Sequence, residues 1–253
     1  TPRPSREKLP YAVFAAGAAF VALVSIVYMV NIKPITASGK IITALQSIGT
    51  KKSAETIIAD FDTVFSYNTF GTSEARERLA DASTSIILNG PAKPTEDSFK
   101  LLNKAVEELE KETKRFPNSA KTFLFLGKAY AIQFYGTQNA QTVAKAEASY
   151  NRALEIAPEY VQIRLARAEL YLVTRQAEKA KHEADEAWKL THRSANLLYD
   201  VLSTYVLVGD TSGAKMVLSD YVKENNVSKE SSGLEGDKLA AVAQRSMQVT
   251  DAK

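Results

Sequence analysis

Residues 123–158 read FLFLGKAYAIQFYGTQNAQTVAKAEASYNRALEIAP, and this stretch decides the fold. Its apolar residues recur every three or four positions, which is the periodicity of amphipathic α-helices. The spacing returns further along the chain, because Ala146, Ala180 and Ala214 lie 34 residues apart, as do Tyr171 and Tyr205. A fixed period of this length indicates helix pairs that stack into an array.

The period resembles the tetratricopeptide repeat, in which a first helix carries an aromatic residue, Leu-Gly and Tyr, and a second carries Ala, an aromatic residue and Pro. The matching residues are Phe123, Leu126, Gly127 and Tyr130 on the first helix and Ala146, Tyr150, Ala153 and Pro158 on the second. Small residues let two helices touch, and aromatic rings fill the space between successive pairs. The resemblance predicts an α-solenoid of tetratricopeptide-like helix pairs over residues 95–222.

Parts of the array depart from a regular repeat. Tyr130 and Ala146 are 16 positions apart, whereas Tyr171 and Ala180 are nine apart, so the first unit contains seven extra residues. We expect them to lengthen its first helix and enlarge its turn. Residues 95–117 resemble the second half of an earlier, degenerate unit, and residues 90–94 read as a linker. Residues 223–253 are predicted to form a polar linker and a short helix at 238–247.

The N-terminal region carries a long apolar run. No charged side chain lies between Lys8 and Lys33, and the 22 residues from Leu9 to Val30 are almost wholly apolar. About 20 such residues cross the hydrocarbon layer as a helix. We predict a transmembrane helix over residues 9–31, preceded by a basic flank at residues 1–8. The alternative is a signal peptide, whose apolar region typically has only ~7–15 residues.

The predicted membrane helix has a face of small side chains. Ala12, Ala15, Ala16 and Ala19 recur at helical spacing, which lets another helix approach closely in lipid. We therefore expect the membrane as a partner, and this face favours other transmembrane helices as further partners; the alternative is that alanine is simply common in such helices. Basic residues occur on both sides of the run, so charge alone leaves the orientation open.

Residues 32–90 continue the helical pattern and are predicted to form a helical juxtamembrane region. Ser53 is a favourable N-cap for a helix that runs to about residue 67. Thr72 or Ser73 is expected to cap the next helix, which ends at Asn89 because Gly and Pro follow. The complete fold is therefore predicted to be all-α, with one transmembrane helix before the α-solenoid.

Composition argues against several kinds of site. The 253 residues include no Cys, and the two His residues, His182 and His192, lie ten positions apart without carboxylates at metal-ligand spacing. We predict no metal and no cofactor. A net charge of only +3, with Lys and Arg spread along the chain, argues against nucleic-acid binding. No nucleophile with an adjacent base and no phosphate-binding loop occurs, so no catalytic residue is predicted.

The first helices of the array are expected to line its concave side, where helical-repeat proteins bind extended peptides or helices. We predict that a protein or peptide partner binds to nine residues on that side. They are Lys121, Leu124, Lys128, Gln162, Leu165, Glu169, Asn196, Tyr199 and Ser203. The set does not reproduce the paired Lys and Asn clamp of chaperone-binding tetratricopeptide domains, so a C-terminal carboxylate is not specially indicated.

The segment around the apolar run resembles the C-terminal part of bacterial O-antigen ligase or polymerase-like membrane proteins. In that family a last transmembrane helix leads into an Asn-basic-Pro exit, a Tyr-Asn-Thr-Phe-Gly stretch followed by Glu-x-Arg, and tetratricopeptide repeats. The matching residues are Asn31, Lys33, Pro34, Tyr67, Asn68, Thr69, Phe70, Gly71, Glu74 and Arg76. The resemblance covers about residues 9–90.

This resemblance implies the C-terminal region of a polytopic glycan-transfer protein, with its soluble part on the extracytoplasmic side of a bacterial inner membrane. The family's catalytic loops lie among upstream membrane helices, so the resemblance implies a piece of a longer protein. The chain opens with Thr1 rather than Met, which is expected of a fragment or of a processed product. Two functions stay open. One is a non-catalytic interaction and assembly module, and the other is part of a glycosyltransferase that uses an undecaprenyl-linked donor.

Overall fold

The computed structural model describes residues 9–50, 52–69, 71–89, 94–191 and 195–224, and these residues form helices without any strand. The elements are α1 (Leu9–Val27), a π-helical turn (Tyr28–Ile32), α2 (Lys33–Gly49), α3 (Ala54–Ser66), α4 (Gly71–Asn89), α5 (Glu96–Arg115), α6 (Ala120–Thr137), α7 (Ala140–Ile156), α8 (Val161–Val173), α9 (Ala177–Leu190), α10 (Ala195–Leu207) and α11 (Thr211–Glu224). The predicted all-α fold is confirmed. Most of the predicted 90–94 linker, and the predicted helix at 238–247, lie outside the described residues.

α1, the π-helical turn and α2 form one continuous helix from Leu9 to Gly49. The helix therefore continues well past residue 31, and it passes through Pro34 without a break. Proline has no N–H to donate to a helical carbonyl, and the wider turn just before it accommodates this locally. In that turn the Lys33 N–H donates to the Tyr28 carbonyl.

The apolar side chains of this helix are exposed from Val13 to Ile32; Phe14, for example, is 79% exposed and Phe20 is 67% exposed. Among the described residues, this is the one helix that is long and apolar enough to cross a membrane by its length and composition. An N-terminal signal sequence meets the same criterion. A helix that exposes apolar residues on all sides normally requires an apolar surrounding.

α2, α3 and α4 pack against one another. Their shared core includes Ala44 of α2, Phe61 of α3 and Leu79 of α4, each of which is 0% exposed. The end of α2 is also tied to α3 by polar contacts, because the Ser47 hydroxyl donates to the Asp60 carboxylate and the Lys52 ammonium donates to Ser47 over 3.0 Å.

The N-termini of α3 and α4 differ from each other. Ser53 caps α3 as predicted, because the Thr56 N–H donates to its hydroxyl over 3.3 Å. The prediction of a cap at Thr72 or Ser73 is wrong, since α4 already begins at Gly71. The Thr72 hydroxyl is buried and instead donates to the Thr69 carbonyl over 2.6 Å, so a side-chain to main-chain bond replaces the cap.

Helices α6 to α11 form the three predicted helix pairs, α6 with α7, α8 with α9 and α10 with α11. Ser119 caps α6 by accepting the Thr122 N–H, and Asn139 caps α7 by accepting the Gln141 N–H. The turn between α10 and α11 contains Gly209, whose φ of 81° lies in the left-handed region that favours glycine. Short turns of this kind keep the two helices of a pair in contact.

The seven extra residues of the first pair lie mainly in its helices. α6 has 18 residues and α7 has 17, whereas α8 has 13 and α9 has 14. The prediction of a longer first helix is correct, but the prediction of a larger turn is wrong. Only Gln138 and Asn139 separate α6 from α7, and Gln138 closes the turn with a φ of 52°.

The chain divides into two compact units, and the boundary between Glu108 and Leu109 falls inside α5. The first unit contains α1 to α4 and the second contains the three helix pairs. The predicted limits of the juxtamembrane region, 32–90, and of the repeat array, 95–222, remain predictions.

One contact recurs at the first helix of each pair. A tyrosine on each first helix, buried to at least nine-tenths, interacts with a carboxylate on the helix that precedes it. Tyr130 donates to Glu110 and Tyr205 donates to Asp185, while Tyr171 interacts with Glu147. Burial is the main cause that raises the pKa of all three phenols, so the tyrosines stay protonated and act as donors.

The group that contacts the ring of each of these tyrosines differs between the repeats. Lys145 lies 5.1 Å from the ring centroid of Tyr130, and Lys179 lies 5.0 Å from that of Tyr171, which are cation–π distances. The position 34 residues after Lys179 is Gly213. A Cβ atom there would overlap the Tyr205 ring, so the third pair replaces a cation with direct backbone contact.

Candidate protein-binding face

The first helices α6, α8 and α10 form one continuous layer of the repeat unit. α6 contacts α8 and α8 contacts α10, while each second helix contacts the first helix of its own pair and the first helix that follows it, α7 with α8 and α9 with α10. First helices that approach one another more closely than second helices place their layer on the inside of a curved array. We call the solvent-accessible side of α6, α8 and α10 the first-helix face.

The predicted binding residues occupy equivalent positions of the three first helices. Lys121, Gln162 and Asn196 form one set, Leu124, Leu165 and Tyr199 a second, and Lys128, Glu169 and Ser203 a third. Each set therefore crosses the layer from one helix to the next. The assignment of these residues to partner binding remains a prediction.

Exposure differs among these residues. The exposed members are Lys121, Lys128, Gln162, Glu169 and Tyr199, and the half-buried ones are Leu165 and Ser203. Leu124 is only 4% exposed, so it belongs to the packing beneath the face. Asn196 lies on α10, but its side chain is outside the described part of the chain.

Three charged side chains interact across the first-helix face. They are Lys128 of α6, Glu169 of α8 and Asp200 of α10. Burial raises the pKa of Glu169, the Lys128 charge lowers it, and the Asp200 charge raises it further, with a raised pKa as the net result. Glu169 as a whole residue is exposed, but neighbouring protein atoms partly exclude water from its carboxylate. Burial likewise raises the pKa of Asp200.

Asp200 was not among the residues expected from the sequence. It follows Tyr199 directly and lies four positions after Asn196, so the i, i+4 rule places it on the same helical face. Phe125 is a second such residue. It is half-buried, and the Lys121 ammonium lies 5.9 Å from its ring centroid, which extends the face toward the start of α6.

Other polar clusters lack the access that a reaction requires. Ser47, Lys52 and Asp60 bring a hydroxyl, an amine and a carboxylate together, but Ser47 is 1% exposed and its hydroxyl also contacts the Thr43 carbonyl at 3.1 Å. No set of three His, Cys, Asp or Glu side chains that could hold a metal ion occurs among the described residues. His182 is exposed on α9, and His192 lies outside the described residues.

A solved structure gives independent support for the architecture. The chain is similar to the crystal structure of a thermophilic TPR (tetratricopeptide repeat) protein from Thermus thermophilus, with a TM-score of 0.53 and 15% sequence identity. The similarity covers 81% of this chain and 99% of that one. The fold is a tetratricopeptide-like helical repeat. At this identity the likeness concerns the fold alone.

No protein-family model matches the chain, and no curated protein matches it. The tetratricopeptide-like fold therefore rests on the helix pairs, their 34-residue spacing and the structural likeness together.

Proposed function

We propose that this chain is a membrane-anchored interaction and assembly module whose first-helix face binds a segment of another protein. The main support for the proposal is the composition of the first-helix face. It combines an exposed aromatic ring, Tyr199, with the half-buried Leu165 and with charges of both signs. Faces of this composition in helical repeats suit extended peptides or helices, with apolar anchors for affinity and charges for register.

The apolar helix supports the membrane part of the proposal. In the proposed layout, residues 1–8 form a basic flank and residues 9–31 the transmembrane helix. Residues 32–90 form the juxtamembrane region, 95–222 the repeat array and 223–253 a polar tail. Water does not stabilise a helix that exposes Phe14, Phe20 and Ile26 on different sides, whereas hydrocarbon does. Lys33 follows the run at the position where a basic side chain reaches the headgroups.

We further propose that this module is the extracytoplasmic C-terminal region of an O-antigen ligase-like protein in a bacterial inner membrane. Support comes from the sequence resemblance over residues 9–90 and from the outer side of α2. Ile35 is 71% exposed and Ile42 is 57% exposed, on the side of α2 away from its buried Ala37 and Ala44. Further membrane-protein helices of the same polypeptide would cover such a surface. In that case the glycosyltransferase reaction belongs to the upstream membrane helices.

Photocrosslinking in the native membrane tests the proposed binding face. We expect a photoreactive phenylalanine analogue at Tyr199 to capture a discrete protein partner, because that side chain is exposed on the first-helix face. The matched control is the same analogue at His182, which is exposed on the second helix α9. Capture of the same partner equally from both positions, or only from position 182, would contradict the proposal.

A transfer assay separates the module from the enzyme. We expect membranes that contain residues 1–253 alone to transfer no glycan from an undecaprenyl-linked donor. Transfer by this chain, lost on disruption of the repeat array, would show that the catalytic function lies here.

A further inference from the structure

The inference concerns the chemistry of the segment that the first-helix face binds, and it rests on the proposed function above. Charge is distributed unevenly across this face. Lys121 and Lys128 lie on α6, whereas Glu169 lies on α8 and Asp200 on α10. The face therefore changes from basic to acidic from the first helix pair to the third.

The buried and half-buried carboxylates of the repeat unit interact with cationic or phenolic groups. Glu183 is paired with Arg164 and Arg167, Glu147 with Lys179, and Asp210 with Lys181. Glu169 and Asp200 differ, because among the described residues neither has a Lys or Arg within the 4.0 Å of an ion pair. The fold thus pairs its half-buried carboxylates, whereas Glu169 and Asp200, which are exposed as whole residues, have no ion pair among the described residues.

The environment of these carboxylates favours a cation. Burial raises the pKa of both, so their charged forms lose hydration, and Lys128 offsets this only at Glu169. A basic group placed between α8 and α10 would compensate for the hydration that the two carboxylates lose. No cation among the described residues lowers the pKa of Asp200.

Each carboxylate also lies next to an apolar side chain. Leu165 is one helical turn before Glu169, and Tyr199 directly precedes Asp200. Leu165 and Tyr199 occupy equivalent positions of neighbouring helices, so they form one apolar strip beside the two acids. A ligand that satisfies both features has an apolar side chain close to a basic one.

We propose that the bound segment is a stretch of a partner protein in which an apolar side chain packs on Leu165 and Tyr199 while a neighbouring Lys or Arg contacts Asp200 and Glu169. In an extended segment, side chains two positions apart point to the same side. The simplest ligand is therefore an apolar-x-basic sequence. The basic side chain of this sequence lies over α10. The segment continues from its apolar side chain in the opposite direction, toward Lys128 on α6.

The test uses the full chain in detergent micelles and three pools of fluorescein-labelled peptides of equal length. The pools carry a central Leu-x-Lys, Leu-x-Gln or Leu-x-Glu and are otherwise randomised. Fluorescence anisotropy should give a Leu-x-Lys affinity about fivefold above that of Leu-x-Gln, with Leu-x-Glu the weakest, which is the range of a partly exposed ion pair.

Charge reversal gives the decisive comparison. Asp200→Lys should invert the order, so that Leu-x-Glu binds best, while Glu155→Lys should leave it unchanged. Glu155 is an exposed residue of the second helix α7, and its reversal changes the net charge by the same amount. An order that survives Asp200→Lys would overturn the inference.

Two further outcomes separate this inference from the proposed function. If all three pools bind equally and Leu165→Glu abolishes this binding, the first-helix face is the binding site but its ligand is not basic. If neither Leu165→Glu nor Asp200→Lys changes peptide binding, the first-helix face is not the binding site.

A chain that ends at Glu224 tests whether the C-terminal tail of the same chain occupies the first-helix face. If removal of residues 225–253 alone tightens Leu-x-Lys binding about tenfold, the tail and not a partner protein occupies the face.

Discussion

A glycine makes a close contact between the helices of the first pair. A Cβ atom at Gly127 would lie 2.5 Å from Cε1 and 2.7 Å from Cδ1 of Tyr150, distances that real Cβ atoms do not reach. Tyr150 is 1% exposed and belongs to the core of the pair, so its ring has little room to move. This contact explains why the repeat pattern has glycine at that position of the first helix.

We expect Gly127→Leu to lower the free energy of unfolding by ~1–3 kcal/mol or more, because the added side chain overpacks the contact with Tyr150. The melting temperature, followed by circular dichroism, is the measurement. Gly39→Ala is the matched control. Its Cβ meets no atom within 4 Å on α2, so alanine there should be neutral or slightly stabilising. An unchanged melting temperature for Gly127→Leu would refute the assigned register of the repeats.

Individual residues of the first-helix face show which features the sequence does not predict. Leu124 and Leu165 occupy equivalent repeat positions, yet Leu124 is 4% exposed and Leu165 is half-buried. Periodicity gives the direction of a side chain from the helix axis. It does not give the depth of the neighbouring helices, which decides how much of that side chain they cover.

At the scale of helices, the second pair is held by a buried ion-pair cluster. Glu183 of α9 is 2% exposed and contacts Arg164 over 3.3 Å as well as Arg167, both on α8. Arg167 also donates to Asn151 of α7 over 2.6 Å, so the cluster joins two helix pairs. In the sequence, Glu183 resembles a solvent-exposed residue, because it is an acidic residue on a charged helix.

We expect Glu183→Ala to destabilise the chain by ~3–5 kcal/mol, since it leaves two partly buried guanidinium groups without their carboxylate. Chemical denaturation provides the free energy. Glu186→Ala serves as the comparison on the same helix. Its pair with Lys189 is largely exposed, with 68% of the lysine side chain accessible, so its loss should cost no more than about 1 kcal/mol. Equal effects of the two substitutions would show that the buried cluster has no special contribution.

For the whole molecule, the continuous helix from Leu9 to Gly49 connects the apolar run to the packed core of α2, α3 and α4. The apolar side chains from Val13 to Ile32 are exposed, whereas Ala37, Ala44 and Ser47 of α2 are buried. The proposed anchor would therefore transmit its orientation to that helical unit. This arrangement differs from a membrane helix followed by a flexible linker.

We expect the chain to remain in the membrane pellet after carbonate extraction, with an intact mass, because 22 apolar residues exceed a signal-peptide core. Replacement of Ala16 and Val24 by Arg provides the control, since charges near the bilayer centre oppose insertion. Release of the unaltered chain into the supernatant with a shortened mass would identify the apolar run as a cleaved signal peptide.

The sequence by itself determined the helical class, the three helix pairs and their order, because an α-helix is a local structure and a 34-residue period repeats local contacts. The small residues at Gly127 and Ala146 also indicated where helices touch. Tertiary structure alone decided the division of the insertion between α6 and α7, the continuation of the first helix through Pro34, and the joint environment of Glu169 and Asp200. Those features depend on side chains far apart in the chain, whose depth and charge interactions arise only when neighbouring helices exclude water around them.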